Sequence, residues 1–225
     1  MNLKERPIAK TKLIGGRLCL DFANTVGGRV AQPGKKNHPQ PLMISGERLN
    51  DYFDLLAWGW HVKLLDEREL QNLIREAKRD ENAVIKVWER AQRLREAIHR
   101  ICRAFIYRQD SSKRDLKILN EELQRARDHE IVVALEGRFE WHWIDRKNAL
   151  DCLLWPLARS AAELLTTGDM SRLRECRGVA CHWLFEDLSR NRSRHWCSMQ
   201  DCGNLTKVHR FRARLRKGAR KQQNA

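Results

Sequence analysis

The sequence predicts an α+β protein, predominantly α-helical: an N-terminal helical domain with a small β-sheet or hairpin, then a small cysteine-stapled module ending in a basic helix. Three observations carry this. Between residues 47 and 167 apolar residues recur mostly at spacings of three and four. Around residues 131–143 the period changes to two. Four of the seven cysteines fall in two short-spaced pairs near the C-terminal end.

Arg17 to Val26 reads as a buried strand running into a turn, because Leu18, Leu20 and Phe22 alternate with Cys19 and Asp21. Gly27 and Gly28 break it. Residues 27–46, with Pro33, Pro39 and Pro41, read as a long loop. Glu47–Trp60 has Leu49, Phe53, Leu56 and Trp60 at helical spacing. Asp66 is an expected N-cap with Glu69 as its capping-box partner, opening a helix to about Arg79. Glu81–Arg108 carries one apolar stripe, from Val84 through Leu94 and Ile98 to Phe105. A further helix covers about Ser112–Asp128. Ile131, Val133 and Leu135, then Phe139, Trp141 and Trp143 beyond Gly137, alternate as a β-hairpin. Asn148–Thr167 returns to helix, with Pro156 near its start or kinking it. The TTGD stretch at 166–169 divides a domain of residues 1–168, expected to fold alone, from a module of residues 169–225.

The chain of 225 residues has a net charge of +15, unevenly spread. Residues 172–225 carry 14 Lys/Arg against 4 Asp/Glu. A concentrated basic segment attracts polyanions, above all nucleic acid. A solvated, solubilising surface is the blander explanation. The N-terminal MNLKERPIAKTKLIGG lacks the apolar core of a signal peptide, and no run of 18 apolar residues spans a membrane. A cytoplasmic protein with reduced thiols and no membrane partner is therefore expected.

In such a compartment, clustered cysteines point to metal before disulfide. Cys176 and Cys181 form one pair and Cys197 and Cys202 the other, fifteen residues apart. This spacing suits one structural Zn²⁺ held by four thiolates at ~2.3 Å, with no open coordination position for catalysis. A disulfide pair, four unlinked core cysteines and an iron–sulfur cluster are the weaker alternatives. His182, His195 or His209 could replace a ligand, but two of them merely flank ligands. Cys19, Cys102 and Cys152 lie on apolar faces and read as core. Trp183, Phe185 and Trp196 read as the small core of the module.

Two basic groups flank the third and fourth ligands. Arg190, Arg192 and Arg194 precede Cys197, and Lys207, Arg210 and Arg214 follow Cys202 on a helix with a narrow apolar stripe of Val208, Phe211 and Leu215. Such a helix can lie along phosphates or in a major groove. These six are the candidate nucleic-acid contacts, with DNA the expected partner. RNA binding and a protein adaptor are the alternatives.

At these residues the chain resembles the bacterial CGNR zinc finger proteins. It carries Trp183-Leu184-Phe185-Glu186-Asp187-Leu188-Ser189-Arg190-Asn191 and then Trp196-Cys197-Ser198-Met199-Gln200-Asp201-Cys202-Gly203-Asn204. The opening GGRLCLDFANTV is similar to the start of the ABATE domain that precedes this finger. The resemblance implies a stress-induced transcriptional regulator. One position departs from the pattern: Leu205 stands where the family has Arg.

Asp21 and Asn24 follow the expected strand, where a pocket for a small-molecule ligand could form. Capping of a turn is the alternative for Asn24. No nucleophile elbow, phosphate loop or catalytic metal motif is present, and His142 with Glu140 on one strand is too little for an enzyme. A homodimer would suit a regulator that reads paired half-sites.

Overall fold

The computed structural model describes residues 3–32 and 39–223, with side chains described to Ala213. Two 3₁₀ turns, Leu3–Glu5 and Pro7–Lys10, lead to α1 (Leu18–Ala23). A hairpin follows, β1 (Val26–Ala31) and β2 (Leu42–Glu47). Four helices come next: α2 (Tyr52–His61), α3 (Glu67–Ala77), α4 (Glu81–Ile106) and α5 (Lys113–Arg127). A second hairpin, β3 (Glu130–Leu135) and β4 (Arg138–Trp143), precedes α6 (Leu154–Thr167). The last part holds two three-residue strands, β5 (Leu173–Glu175) and β6 (Leu184–Glu186), and α7 (Asn204–Gln223). The three sheets among the described residues are antiparallel pairs, so the class is α+β and mainly helical, as expected.

The helix signals carry through where periodicity and caps agree. Asp66 accepts from Glu69 N while the Glu69 carboxylate accepts from Asp66 N, the reciprocal capping box. Pro156 sits in the first turn of α6, where its missing N–H costs nothing. In the second hairpin Glu136 and Gly137 both take positive φ, the backbone that a two-residue turn between twisted strands needs.

Two early expectations are corrected. Arg17–Val26 is not a strand: residues 18–23 form a helix, and the hairpin strand starts only at Val26. Cys19, Leu20, Phe22 and Ala23 are all buried, so a short helix enclosed on nearly every side shows no helical period. Residues 27–46 are not simply a loop, because β1 and β2 pair from Val26 with Glu47 to Ala31 with Leu42. Residues 33–38 of that segment lie outside the described residues. The β2 side chains are largely exposed, so alternation could not announce the strand. The helix expected from Glu47 accordingly starts at Tyr52, after the Asp51 N-cap accepts from Asp54 N.

The main core lies between α1, α2, α4 and α6, with Trp58 and Trp155 fully buried. Leu173 and Leu184, from β5 and β6, belong to this same core. The division at residue 168 therefore marks a place along the chain, not a break in packing. On α4, Arg95 is 1% exposed and grips Glu47 with two hydrogen bonds of 2.6 and 2.7 Å. Arg29 from β1 reaches Glu96 on the same helix at 3.0 Å. These ion pairs lock the first hairpin against α4. Desolvating a guanidinium group is costly, and Glu47 offsets that cost for Arg95, whereas Arg29 keeps Nε and Nη1 buried without partners.

Candidate metal centre and basic cleft

The four cysteines converge. Cys176, Cys181, Cys197 and Cys202 place their Sγ atoms within 4.8 Å of one another. The Cys181–Cys197 and Cys197–Cys202 sulfur pairs are each 3.6 Å apart. Ligands ~2.3 Å from a tetrahedral centre stand ~3.8 Å from each other, so the donor set fits zinc. Backbone N–H groups of Gly178 and Cys197 point at Cys176 Sγ from 3.4 and 3.3 Å, as suits a thiolate. Hydrogen bonds from the Cys181 and Cys197 thiols hold Cys176 far below its ordinary pKa, and those two thiols are pushed up in return. A divalent cation removes this competition by replacing all the thiol protons. A Cβ at Gly178 would come within 3.1 Å of Cys202 Sγ, so a larger residue there would press on the ligand.

The other three cysteines are inert by comparison. Cys19, Cys102 and Cys152 are buried, and burial pushes the Cys19 thiol to about 11 and the Cys152 thiol to about 12.

The cluster is built on the N-terminal domain rather than beside it. Trp183 and Phe185 pack with the cysteines, as expected, but so do Val26 and Ile14. Trp183 Nε1 donates to Val26 O at 3.1 Å, and Arg29 N donates to Cys181 O at 3.0 Å. Gly28 faces Ala180 so closely that a Cβ would lie 2.0 Å from its carbonyl oxygen. Asn24, a candidate ligand contact, is instead fully buried at this seam. Its Oδ1 accepts from Leu184 N at 2.9 Å and its Nδ2 donates to Leu184 O at 2.8 Å. Asp21, the other candidate, is half-buried and accepts from Gly15 N at 2.7 Å. Burial raises its pKa, and the Gly15 and Ile14 N–H groups oppose that.

His99 of α4 is enclosed at the same seam, with Nε2 at 3.2 Å from His182 O. Burial, helped by nearby Arg29, holds its pKa well below the ordinary value. The folded ring thus stays neutral, while the unfolded chain takes up a proton near pH ~6.5. Stability contributed by neutral His99 is present above that pH and lost as pH falls below it. With zinc in excess, wild type should lose more stability than His99→Gln between about pH 7.5 and 5.5, read by urea unfolding. Parallel losses in the two proteins would refute this.

The basic residues divide into two kinds. Arg190, Lys207 and Arg210 are exposed. Arg192, at φ 47°, donates to Ser171 Oγ at 3.0 Å and lies 3.5 Å from Asp169. Arg194 is a structural residue of the module, not a free cation. Its guanidinium donates to the carbonyls of Trp196 and Cys197 and stacks 4.5 Å from the Phe185 ring. Arg214 lies on α7, but its side chain falls outside the described residues. The loop owes its shape to Asp187, which is fully buried and accepts from Ser189 N, Ser189 Oγ and Arg194 N. Nothing in the sequence around Asp187 announces this role.

Beside the zinc cluster a cleft of about 540 Å³ is lined by Arg174, Arg177, Arg192, Arg194 and His195, with His182 paired to Glu175 in the same wall. Arg174 and Arg177 were not among the expected contacts. Arg177 adjoins the ligand Cys176 and is exposed, a signal that could have found it. Of the apolar stripe expected to dock helix α7, Val208 and Phe211 are 44% and 63% exposed, and the side chain of Leu215 lies outside the described residues. Its N-terminal turn is held instead by Thr206 Oγ1, which donates to Cys202 O at 2.7 Å.

Two knuckle pairs of cysteines whose sulfurs converge on one tetrahedral site, followed by an exposed basic helix, define a zinc finger protein. The first 15 residues lead into a region, residues 16–168, that matches the ABATE family model, described as "Putative stress-induced transcription regulator". Residues 172–215 match the model of the CGNR zinc finger. The chain belongs to the ABATE family with a C-terminal CGNR zinc finger, and the finger takes one structural zinc at its four cysteines. No curated protein matches the chain. Neither matched family is an enzyme class. Glu140 and His142 lie 3.8 Å apart on an open hairpin. Among the described residues no helix is long and apolar enough to cross a membrane.

Proposed function

We propose that this is a DNA-binding transcriptional regulator of the cytoplasm, not an enzyme, and that its zinc finger is the reading head. The observation that carries the proposal is the joining of a cationic cleft to an exposed basic helix through one metal site. Arg174, Arg177 and Arg192 line the cleft, and Lys207 and Arg210 project from α7 just beyond the last ligand. At ~1.5 Å per residue the helix is ~30 Å long, enough to follow a groove. DNA is favoured over RNA because the B-form major groove admits a helix and the A-form one does not. In this proposal residues 1–168 form a sensing or dimerisation domain and residues 169–225 the finger.

Binding to duplex DNA should weaken steeply with salt, since phosphate contacts release counterions. Replacing Lys207, Arg210 and Arg214 together by Ala should lower the slope of log K against log salt by about three, without releasing zinc. Replacing Arg177 by Gln should lower it by about one. Equal affinity of wild type and both variants for DNA at every salt concentration would defeat the reading and leave the adaptor in its place. Tighter binding of RNA would replace DNA by RNA. Sedimentation of the complex gives the number of chains per duplex.

A further inference from the structure

Two apolar surfaces of this chain lie uncovered, and the nucleic-acid reading makes no use of their apolar side chains. The first is the hairpin of β3 and β4. Val132 pairs with Trp141 and Ala134 with Phe139, so these four side chains share one face. Phe139 is 79% exposed, Trp141 58% and Val132 53%. The base of the hairpin is fixed. Trp143 lies 6.0 Å from the buried Trp155 ring, and the Arg159 guanidinium sits 4.7 Å from the Trp141 ring. The second surface is on α7. Leu205, Val208 and Phe211 follow at three-residue steps, and all three are exposed. At ~100° per residue they form one stripe, with Lys207 and Arg212 on its two flanks.

The two surfaces carry opposite charge. The hairpin, Glu130 to Trp143, holds three carboxylates and one guanidinium, with Glu136 exposed at the tip. The helix, Asn204 to Gln223, holds eight Lys/Arg and no carboxylate. Two such helices repel each other, and two hairpins do so more weakly, whereas a hairpin and a helix attract. Within one chain neither surface covers the other, since Phe139 and Phe211 both stay exposed.

Area points to a second copy as the occupant. Whole aromatic side chains offer ~150–250 Å², so Phe139 and Trp141 together present roughly 250–300 Å². One hairpin-on-helix contact then buries roughly 550 Å² over both partners, short of the ~1,000 Å² of a specific interface. A two-fold axis forms the contact twice and reaches roughly 1,100 Å². A different protein, seated on one surface alone, gains no such doubling.

We propose that the chain forms a two-fold dimer in which the hairpin of each copy lies on the α7 stripe of the other, with Phe139 and Trp141 against Val208 and Phe211. This rests on the dimerisation role proposed above and gives it a surface and a partner. Lys207 and Arg212 face the carboxylates of the hairpin. Arg210, about half a turn from the stripe, stays clear of the contact.

The test is sedimentation velocity of the zinc-loaded full chain without nucleic acid. A monomer–dimer equilibrium with a dissociation constant on the order of 10 μM is expected for an interface of this size. Phe139→Ser/Trp141→Ser and Val208→Ser/Phe211→Ser should each weaken it at least about tenfold. Zinc content and circular dichroism should not change, because all four side chains are exposed. A second measurement does not depend on losing a side chain. The photo-crosslinker introduced by Phe139→p-benzoylphenylalanine, mixed with isotope-labelled wild type, should attach to residues 204–213 of the labelled copy. A wild type that stays monomeric at about 200 μM would overturn the proposal. So would a hairpin variant that dimerises like wild type. A stripe variant that does so, or crosslinks confined to β3 and β4 of the second copy, would put hairpin on hairpin instead. No nucleic acid is present, so failure here leaves the outcome of the salt titration untouched.

Discussion

Replacing Cys197 by Ser, or stripping zinc with a chelator, is expected to unfold residues 172–203 and to destabilise the N-terminal domain with them. Metal binding in a structural four-cysteine site is worth ~10–16 kcal/mol, as large as the whole stability of an ordinary domain. The module has little else. Its own buried cluster is the four cysteines with Trp183, Phe185 and Trp196, completed by Val26 and Ile14 from outside it. The damage spreads because β5 and β6 set Leu173 and Leu184 into the main core. Exposing two buried leucines costs ~1.5–3 kcal/mol each. With ~2–4 °C per kcal/mol for a chain of this size, the N-terminal helices should melt about 10–20 °C lower without metal. Circular dichroism at 222 nm with and without zinc, on wild type and Cys197→Ser, reads this directly. An unchanged melting temperature for the helices would mean that the seam is energetically weak.

Asn24→Ala should cost nearly as much as the loss of a core side chain, although it removes only a small polar group. The carboxamide pairs with both backbone groups of Leu184, as a neighbouring strand would. Asn24 is 0% exposed and so is Leu184, so no water can replace it. Alanine leaves one N–H and one C=O buried without partners, at ~1–3 kcal/mol each. A loss of about 3–4 kcal/mol is expected in urea unfolding of the zinc-loaded protein. Asn24→Asp keeps the acceptor but turns a carboxylate oxygen toward the Leu184 carbonyl, and should be worse. A loss under about 1 kcal/mol for Asn24→Ala would show that the seam relaxes around the missing amide.

The zinc ligands were legible because their chemistry is local: two knuckles and a spacer are visible in one dimension. The same holds for the Asp66–Glu69 capping box and for α4, whose 26 residues keep one stripe. Residues 18–23 were read as strand because a buried helix of six residues shows too little polarity to reveal its period. The first hairpin was hidden by its glycines. Gly28 reads as a breaker, but it is there to let Ala180 approach across 152 positions of sequence. In the sequence Arg194 reads as a nucleic-acid contact, and Asn24 as a ligand contact or a turn cap. Their true partners, the carbonyls of Trp196 and Cys197 and the backbone of Leu184, carry no signature in side-chain type. Charge is legible in a sequence, but the group it is spent on is not.

The contact at Gly28 also bears on how such a protein can change over generations. Any side chain there would collide with the carbonyl of Ala180, and the neighbouring Arg29 N–H would lose its bond to Cys181 O. The finger is therefore not a cassette that recombination can freely exchange. A chimera carrying another chain's finger would need a host with glycine at this position and an asparagine four residues before it. The two segments travel as one inherited unit, and a lineage that lost either residue would have to re-engineer the other half to match.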